Sequence, residues 1–144
     1  GSPSETERLQ SMAARSDGRV VIEPPVPMTE MVSCASAADI GVFALPNSNP
    51  QADYCLPNKL FEYAMAGLAL CVSDVPEMRS VVEQYDLGFL IEAVTPEGIA
   101  GAINAFRPDT IDRFRANSLL AAPGLSWDKE QINFLKLVDL VSSP

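Results

Sequence analysis

Histidine is absent from the 144 residues of this chain. Its absence excludes histidine-based catalytic triads, histidine metal sites and imidazole acid–base catalysis from any chemistry that the chain performs alone. Long apolar runs are missing too, since no stretch approaches the ~20 residues of a membrane-spanning helix. We therefore expect neither a histidine-dependent enzyme nor a transmembrane segment within these residues.

Cysteine is scarce, with three residues at positions 34, 55 and 71, and their spacings match no metal-binding motif. Each lies among apolar residues, which predicts reduced packing side chains and no metal site. Cys55 has no histidine to activate it as a nucleophile. The odd count without a signal peptide predicts a reducing compartment, the cytoplasm.

Basic residues are also few: 10 against 19 acidic residues, a formal net charge of −9. Such a chain repels phosphate backbones and anionic lipids, so nucleic acid is not an expected partner. Membrane association is expected only through a part of the protein outside this chain. A local anion site remains compatible with the charge, because the N-terminus of a helix can bind phosphate in acidic surroundings.

What the chain does contain is an alternation of short apolar strands and helices. We predict four strands, at residues 20–22, 40–45, 69–73 and 89–91. We predict helices at residues 4–15, 29–37, 58–66, from 76, from 96, 109–120 and 127–141, with a break at Ala122-Pro123-Gly124. Trp127 is expected to anchor the last helix by packing.

This alternation predicts a Rossmann-like α/β fold, a parallel sheet flanked by helices. The whole chain, 1–144, is expected to form a single partial domain that ends in a C-terminal helix within residues 125–144. Because the first predicted element is a helix, we expect a preceding strand to lie outside the chain, which would then be truncated at its N-terminus.

Residues 56–63, Leu-Pro-Asn-Lys-Leu-Phe-Glu-Tyr, form a loop that opens a helix after a buried strand. Pro57 fits at or just before the helix start, and Asn58 can cap it. Lys59 places a positive charge in the first turn, where the helix dipole favours an acid. A diphosphate bound at the helix start would neutralise that charge. The alternative is a surface lysine that pairs with Glu62 three residues later.

Glu62 lies one turn into the same helix, where a carboxylate could accept two hydrogen bonds from the vicinal hydroxyls of a ribose. Its alternative role is half of an ordinary surface ion pair. Asn47, Ser48 and Asn49 lie in the loop after a predicted strand, at the edge where ligands bind in such sheets. They are further candidates for ligand contacts, although polar loop residues need no function.

Three segments together resemble the C-terminal, donor-binding domain of group 1 (family 4) glycosyltransferases of the GT-B fold. They are the Ala-Asp-Ile strand at 38–40, the Lys-x-x-Glu helix at 59–62 that ends in Ala-Gly-Leu, and the Ser-Asp-x-Pro-Glu turn at 73–77. The resemblance covers most of the chain after Val20. It implies a GT-B enzyme that transfers a sugar from a nucleoside diphosphate sugar to an acceptor with retention, and it implies no further cofactor.

The resemblance also assigns roles to residues. Glu62 matches the second glutamate of the family's Glu-x7-Glu motif, which holds the ribose, and Leu56, Pro57, Asn58 and Lys59 match the region that faces the diphosphate and the donor sugar. The first motif glutamate is replaced by Tyr54, whose phenol can donate a hydrogen bond to a sugar hydroxyl but supplies no carboxylate near neutral pH.

The resemblance further implies that the family's basic diphosphate-binding residues and its N-terminal acceptor domain lie outside this chain, so the chain alone is expected to be inactive. No residue of the chain is assigned as catalytic. One alternative is a non-catalytic nucleotide-sugar-binding or scaffold module of the same fold, which the tyrosine at position 54 favours. A nucleotide-sugar epimerase ranks last, because its histidine is absent.

Overall fold

The computed structural model describes residues 3–46 and 56–125. Within them, three parallel strands form one sheet in the order β1-β2-β3. Their bounds are Ile40–Phe43 for β1, Ala69–Ser73 for β2 and Gly88–Ile91 for β3. Ile40 lies opposite Ala69, and Leu70 lies opposite Gly88.

Six α-helices of the described ranges accompany the sheet, and a 3-10 turn, Met28–Glu30, precedes the second of them. The helices are α1 Pro3–Ala14, α2 Met31–Ala35, α3 Asn58–Met65, α4 Pro76–Tyr85, α5 Pro96–Asn104 and α6 Pro108–Leu125. The alternation of strands and helices confirms the predicted Rossmann-like α/β class.

The helix ends follow the local signals in the sequence. Pro76 and Pro96 each occupy the first turn of their helices, where the missing N–H costs nothing. The Thr95 side chain caps α5 by accepting a hydrogen bond from the Gly98 amide at 3.1 Å. Gly67 ends α3 with φ +71°, and a Cβ at that position would lie 2.8 Å from the Leu119 side chain. The positive φ favours glycine there, whereas the exposed Leu119 side chain is free to move away from a Cβ.

The core lies around β2, whose five residues are all buried. Its largest cluster joins the central strand to α3, α4 and α6 and contains Leu60, Leu70, Val72, Val75, Met78, Val82, Leu87 and Ala121. A second cluster contains three phenylalanines. The ring of Phe114 on α6 meets those of Phe89 and Phe106 edge-on, with centroids 5.2 and 6.0 Å away. Both faces of the sheet thus contribute to a packed interior.

Polar contacts fix α6 to the chain around the start of β2. The hydroxyl of Ser118 is buried and donates to the Leu68 carbonyl at 2.7 Å. Arg115 donates to the Gly67 carbonyl at 3.1 Å and to the Asp39 carboxylate at 2.7 Å. Asp39, part of the Ala-Asp-Ile segment, therefore helps to hold a helix in place.

The predicted first strand is wrong. Val20, Val21 and Ile22 adopt no strand and are 51%, 67% and 44% exposed. A short apolar run becomes a strand only where a neighbouring strand supplies hydrogen bonds, and no described strand lies beside this one. The described sheet therefore has three strands and not four. The predicted helix at 29–37 is also shorter, because its first turn is 3-10.

The predicted break at 122–124 is wrong as well, because α6 continues through Pro123 to Leu125. Pro123 has no N–H to donate to the carbonyl of Leu119, four residues earlier, yet the helix continues past it. The predicted helix at 127–141, Trp127 included, lies outside the described residues.

Of the cysteines, Cys71 is buried in β2 as predicted, and burial raises the pKa of its thiol to about 11. Cys34 is exposed, so its predicted packing role is wrong. Cys55 lies outside the described residues. In the described part of the chain, no helix combines the length and apolar character needed to cross a bilayer.

Candidate functional site

The start of α3 lies at the carboxyl edge of the sheet. Because the three strands are parallel, they end at one edge, and the helices that follow them begin there. In open α/β sheets this is the edge at which ligands bind. Leu56, Pro57, Asn58 and Lys59 all lie at this edge.

The backbone opens α3 without a side-chain cap. Pro57 occupies the cap position with an extended backbone, φ −72° and ψ 146°, and Asn58 is the first helical residue. The prediction that Asn58 caps the helix is therefore wrong, because a cap needs the non-helical conformation that the proline takes. The Pro57 carbonyl accepts from the Leu60 amide at 3.1 Å. The cap residue Pro57 has no side-chain acceptor, so it makes no side-chain hydrogen bond to the first amides of this helix.

Lys59 and Glu62 form an ion pair one turn into α3. The Nζ atom of Lys59 donates to Oε2 of Glu62 at 2.6 Å and also lies 2.6 Å from Sδ of Met31, at the start of α2. The Lys59 side chain is 41% exposed and that of Glu62 only 20%. The pairing that the sequence offered as an alternative is thus present, with a carboxylate that is more sheltered than in a freely solvated surface pair.

Three of the candidate side chains fall in the loop between β1 and α3. Asn47, Ser48 and Tyr54, together with Asn49, lie outside the described residues, so their predicted roles stay predictions. The described ends of this loop are Pro46 and Leu56.

Next to the loop, a cleft of about 270 Å³ opens along the carboxyl ends of the strands. The buried hydroxyl of Ser73 at the end of β2 accepts from the Leu45 amide at 2.6 Å and donates to the Leu45 carbonyl at 3.1 Å. This contact ties the chain that leaves β1 to the end of β2. The sequence analysis did not predict this contact, although a serine at the end of a buried strand could have indicated it. The cleft is lined by Leu45, Pro46, Ser73, Asp74, Val75, Ile91, Glu92 and Val94.

Asp74, in the Ser-Asp-x-Pro-Glu turn, pairs with Arg79 through two hydrogen bonds at 2.6 and 2.5 Å. The hydrogen bond to Asp74 raises the pKa of the Arg79 guanidinium. The Asp74 carboxylate makes no cap hydrogen bond at the N-terminus of α4. Its role in the described structure is to hold Arg79 across the first turn.

A larger cavity of about 490 Å³ lies away from this edge, beside β3 and between α4 and α5. None of the candidate residues lines it. Among the described residues, no group of three or more histidine, cysteine, aspartate or glutamate side chains is placed to hold a metal ion. The candidate site is therefore the start of α3 with Glu62, and not this cavity.

Comparison with known proteins identifies the family of the chain. A family model described as "Glycosyl transferases group 1" matches residues 1–108, which is 108 of the 144 residues. The matched region contains all three strands, the loop after β1 and helix α3. No curated protein and no solved structure shows significant similarity to the chain. Because the model covers well over half of the sequence, this chain belongs to the group 1 glycosyltransferase family.

Proposed function

We propose that this chain binds the donor of a glycosyltransferase, a nucleoside diphosphate sugar. The observation that carries the proposal is the position of Glu62, a sheltered carboxylate one turn inside a helix whose uncapped start lies at the carboxyl edge of the sheet. Membership of the group 1 family supports a role in glycosyl transfer. The parent protein, meaning this chain together with its acceptor-binding domain, would carry out the reaction.

Each part of the donor has a proposed partner in the chain. The backbone amides at the start of α3, at Asn58 and Lys59, suit the diphosphate, since a helix N-terminus attracts anions. The stretch from Leu56 to Pro57 lines the approach to this helix end. Glu62 would accept hydrogen bonds from the ribose hydroxyls. Tyr54, with Asn47 and Ser48, would contact the donor sugar from the loop after β1.

The proposed reaction breaks the bond between the anomeric carbon and the diphosphate oxygen. The anomeric carbon bonds to the oxygen of an acceptor hydroxyl with overall retention, and the hydroxyl proton passes to the departing diphosphate oxygen. The departing diphosphate gains negative charge, and a helix N-terminus stabilises charge that develops at that point. The donor itself carries the transferred group, so the proposal needs no cofactor. The acceptor would be held by a domain outside this chain.

Glu62→Ala in the parent protein is expected to weaken donor binding about 10- to 100-fold. The estimate follows from losing hydrogen bonds to a charged group, worth ~1.5–3 kcal/mol, with a tenfold change in affinity for each ~1.4 kcal/mol. The measurement is calorimetric titration with uridine, guanosine and adenosine diphosphates, which also identifies the base. The nucleotide that binds most tightly is then used to titrate the variants.

The matched control for this titration is Glu83→Ala. Glu83 is an exposed glutamate near the end of α4, away from the carboxyl edge. Its loss is expected to leave the affinity unchanged within twofold. If Glu62→Ala bound the nucleotide as tightly as the wild type does, Glu62 would not be the residue that binds the ribose.

A second candidate is a nucleotide-sugar-binding module without transferase activity, and the replacement of the first motif glutamate by Tyr54 favours it. A transfer assay with radiolabelled donor separates the two. We expect product from the parent protein and none from residues 1–144 alone, because the chain lacks an acceptor site. A folded parent protein that binds nucleotide but forms neither transfer nor hydrolysis product would establish the non-catalytic module.

A further inference from the structure

The carboxylate of Glu62 is constrained by its hydrogen bond from Lys59. In the described part of the chain, the side-chain hydrogen bonds of Glu62 go only to Lys59, through Oε2 at 2.6 Å. The other oxygen, Oε1, is not engaged by that bond. Lys59 in turn reaches Met31 on α2, so its ammonium group lies between two helices. The carboxylate is thus fixed through one oxygen and has the other available.

Arg79–Asp74 is a comparably short pair with a sheltered carboxylate, 18% exposed, but two other ion pairs in the described residues are longer and more exposed. Arg8 and Glu5 on α1 are 4.0 Å apart, with side chains 62% and 57% exposed. Arg113 and Asp86 are 3.1 Å apart, and both side chains are 56% exposed. The Lys59–Glu62 pair is shorter than both, and its carboxylate is far less exposed. A short contact to a sheltered carboxylate restricts rotation of the side chain more than a pair in open solvent does.

We propose that Lys59 is a positioning residue for ribose recognition and acts through Glu62. By holding Oε2, it keeps the carboxylate in one orientation, so that Oε1 can accept from the pentose without a loss of side-chain freedom on binding. This inference rests on the proposed function, because it requires Glu62 to bind the ribose. It differs from a direct bond between the ammonium group and the diphosphate, since Glu62 already neutralises the charge of Lys59.

The two roles of Lys59 predict different nucleotide preferences. If the lysine acts through Glu62, its removal matters only when the ligand offers the hydroxyls that Glu62 binds. If the lysine binds the diphosphate, its removal weakens every nucleoside diphosphate equally. A ligand without the ribose hydroxyls therefore separates the two roles.

The experiment uses Lys59→Met in the parent protein, which keeps an unbranched apolar chain and removes the ammonium group. Calorimetry measures two affinities. One is for whichever of uridine, guanosine and adenosine diphosphates binds most tightly, and the other is for the 2′,3′-dideoxy analogue of that nucleotide. We expect Lys59→Met to weaken the ribonucleotide about 3- to 10-fold and to change the dideoxy nucleotide less than about 2-fold. Lys59→Arg, which can restore the ion pair, should recover most of the lost affinity.

Arg113→Met serves as the matched control, since it removes the cation of an ion pair on α6. It should leave both affinities unchanged, and it also shows whether loss of any ion pair disturbs binding. Equal weakening of both nucleotides by Lys59→Met would overturn the positioning role, and so would no weakening of either.

Failure of the proposed function gives a separate result. If Glu62→Ala retains the wild-type preference for the ribonucleotide over the dideoxy nucleotide, Glu62 does not bind the ribose at all. If Glu62→Ala abolishes that preference while Lys59→Met leaves it intact, only the positioning role of Lys59 is overturned.

Discussion

Gly88→Ala is expected to prevent the chain from reaching its native fold, or to destabilise it by more than about 4–5 kcal/mol. Gly88 begins β3 and lies opposite Leu70 in the central strand. A Cβ at this position would lie 1.8 Å from the Leu70 carbonyl oxygen and 2.6 Å from its carbonyl carbon. These are backbone atoms of a buried strand, so no flexible side chain can move aside to make room. The measurement is chemical denaturation of the chain, followed by circular dichroism.

Gly101→Ala is the matched control, because it adds the same methyl group to a glycine with no atom within 4 Å of the new Cβ. Gly101 lies inside α5, where alanine is favoured over glycine by ~0.5–1 kcal/mol. The control should therefore keep or raise the stability of the chain. A Gly88 variant with the denaturation midpoint of the wild type would show that β2 and β3 do not pair in the observed register.

Phe114→Ala is expected to lower the free energy of unfolding by about 3–5 kcal/mol. The Phe114 side chain is 1% exposed and is the largest of the fully buried ones in the described residues. Its truncation opens a cavity and removes two edge-on ring contacts, to Phe89 and Phe106. Because domains are stable by only ~5–15 kcal/mol, the loss would be visible as a clear fall in the denaturation midpoint.

Leu120→Ala tests whether that loss is specific to the buried ring. Leu120 lies on the same helix but is 80% exposed, so its truncation should change stability by less than about 0.5 kcal/mol. A cost below about 1 kcal/mol for Phe114→Ala would mean that Phe114 does not pack against Phe89 and Phe106 as described.

The sequence predicts best those elements whose ends carry strong local signals. The bounds of α3, β2 and β3 agree with prediction to within one residue, and α4 and α5 begin at their prolines. Gly67 must adopt a positive φ, and Thr95 caps α5, so short stretches of chain decide where these elements end. Interactions between residues close in the sequence were therefore sufficient to predict where these elements begin and end.

Prediction failed where the outcome depends on a distant part of the molecule. Val20 to Ile22 have the composition of a strand but lack a strand beside them among the described residues. Arg115 and Asp39 are 76 positions apart, and nothing in the sequence indicates that they pair. At the site, spacing showed that Lys59 and Glu62 could meet, but not that Met31 would lie against the lysine. Tertiary packing supplies these contacts.

The central claim is that Glu62 binds the ribose of a nucleoside diphosphate that lies at the start of α3. A crystal structure of the parent protein with the tightest-binding nucleoside diphosphate tests it most directly. The prediction is a Glu62 carboxylate oxygen within about 2.5–3.0 Å of a ribose hydroxyl oxygen, the range of O–H···O hydrogen bonds. A bound nucleotide whose pentose lies out of reach of Glu62, with that carboxylate paired to Lys59 alone, would contradict the claim.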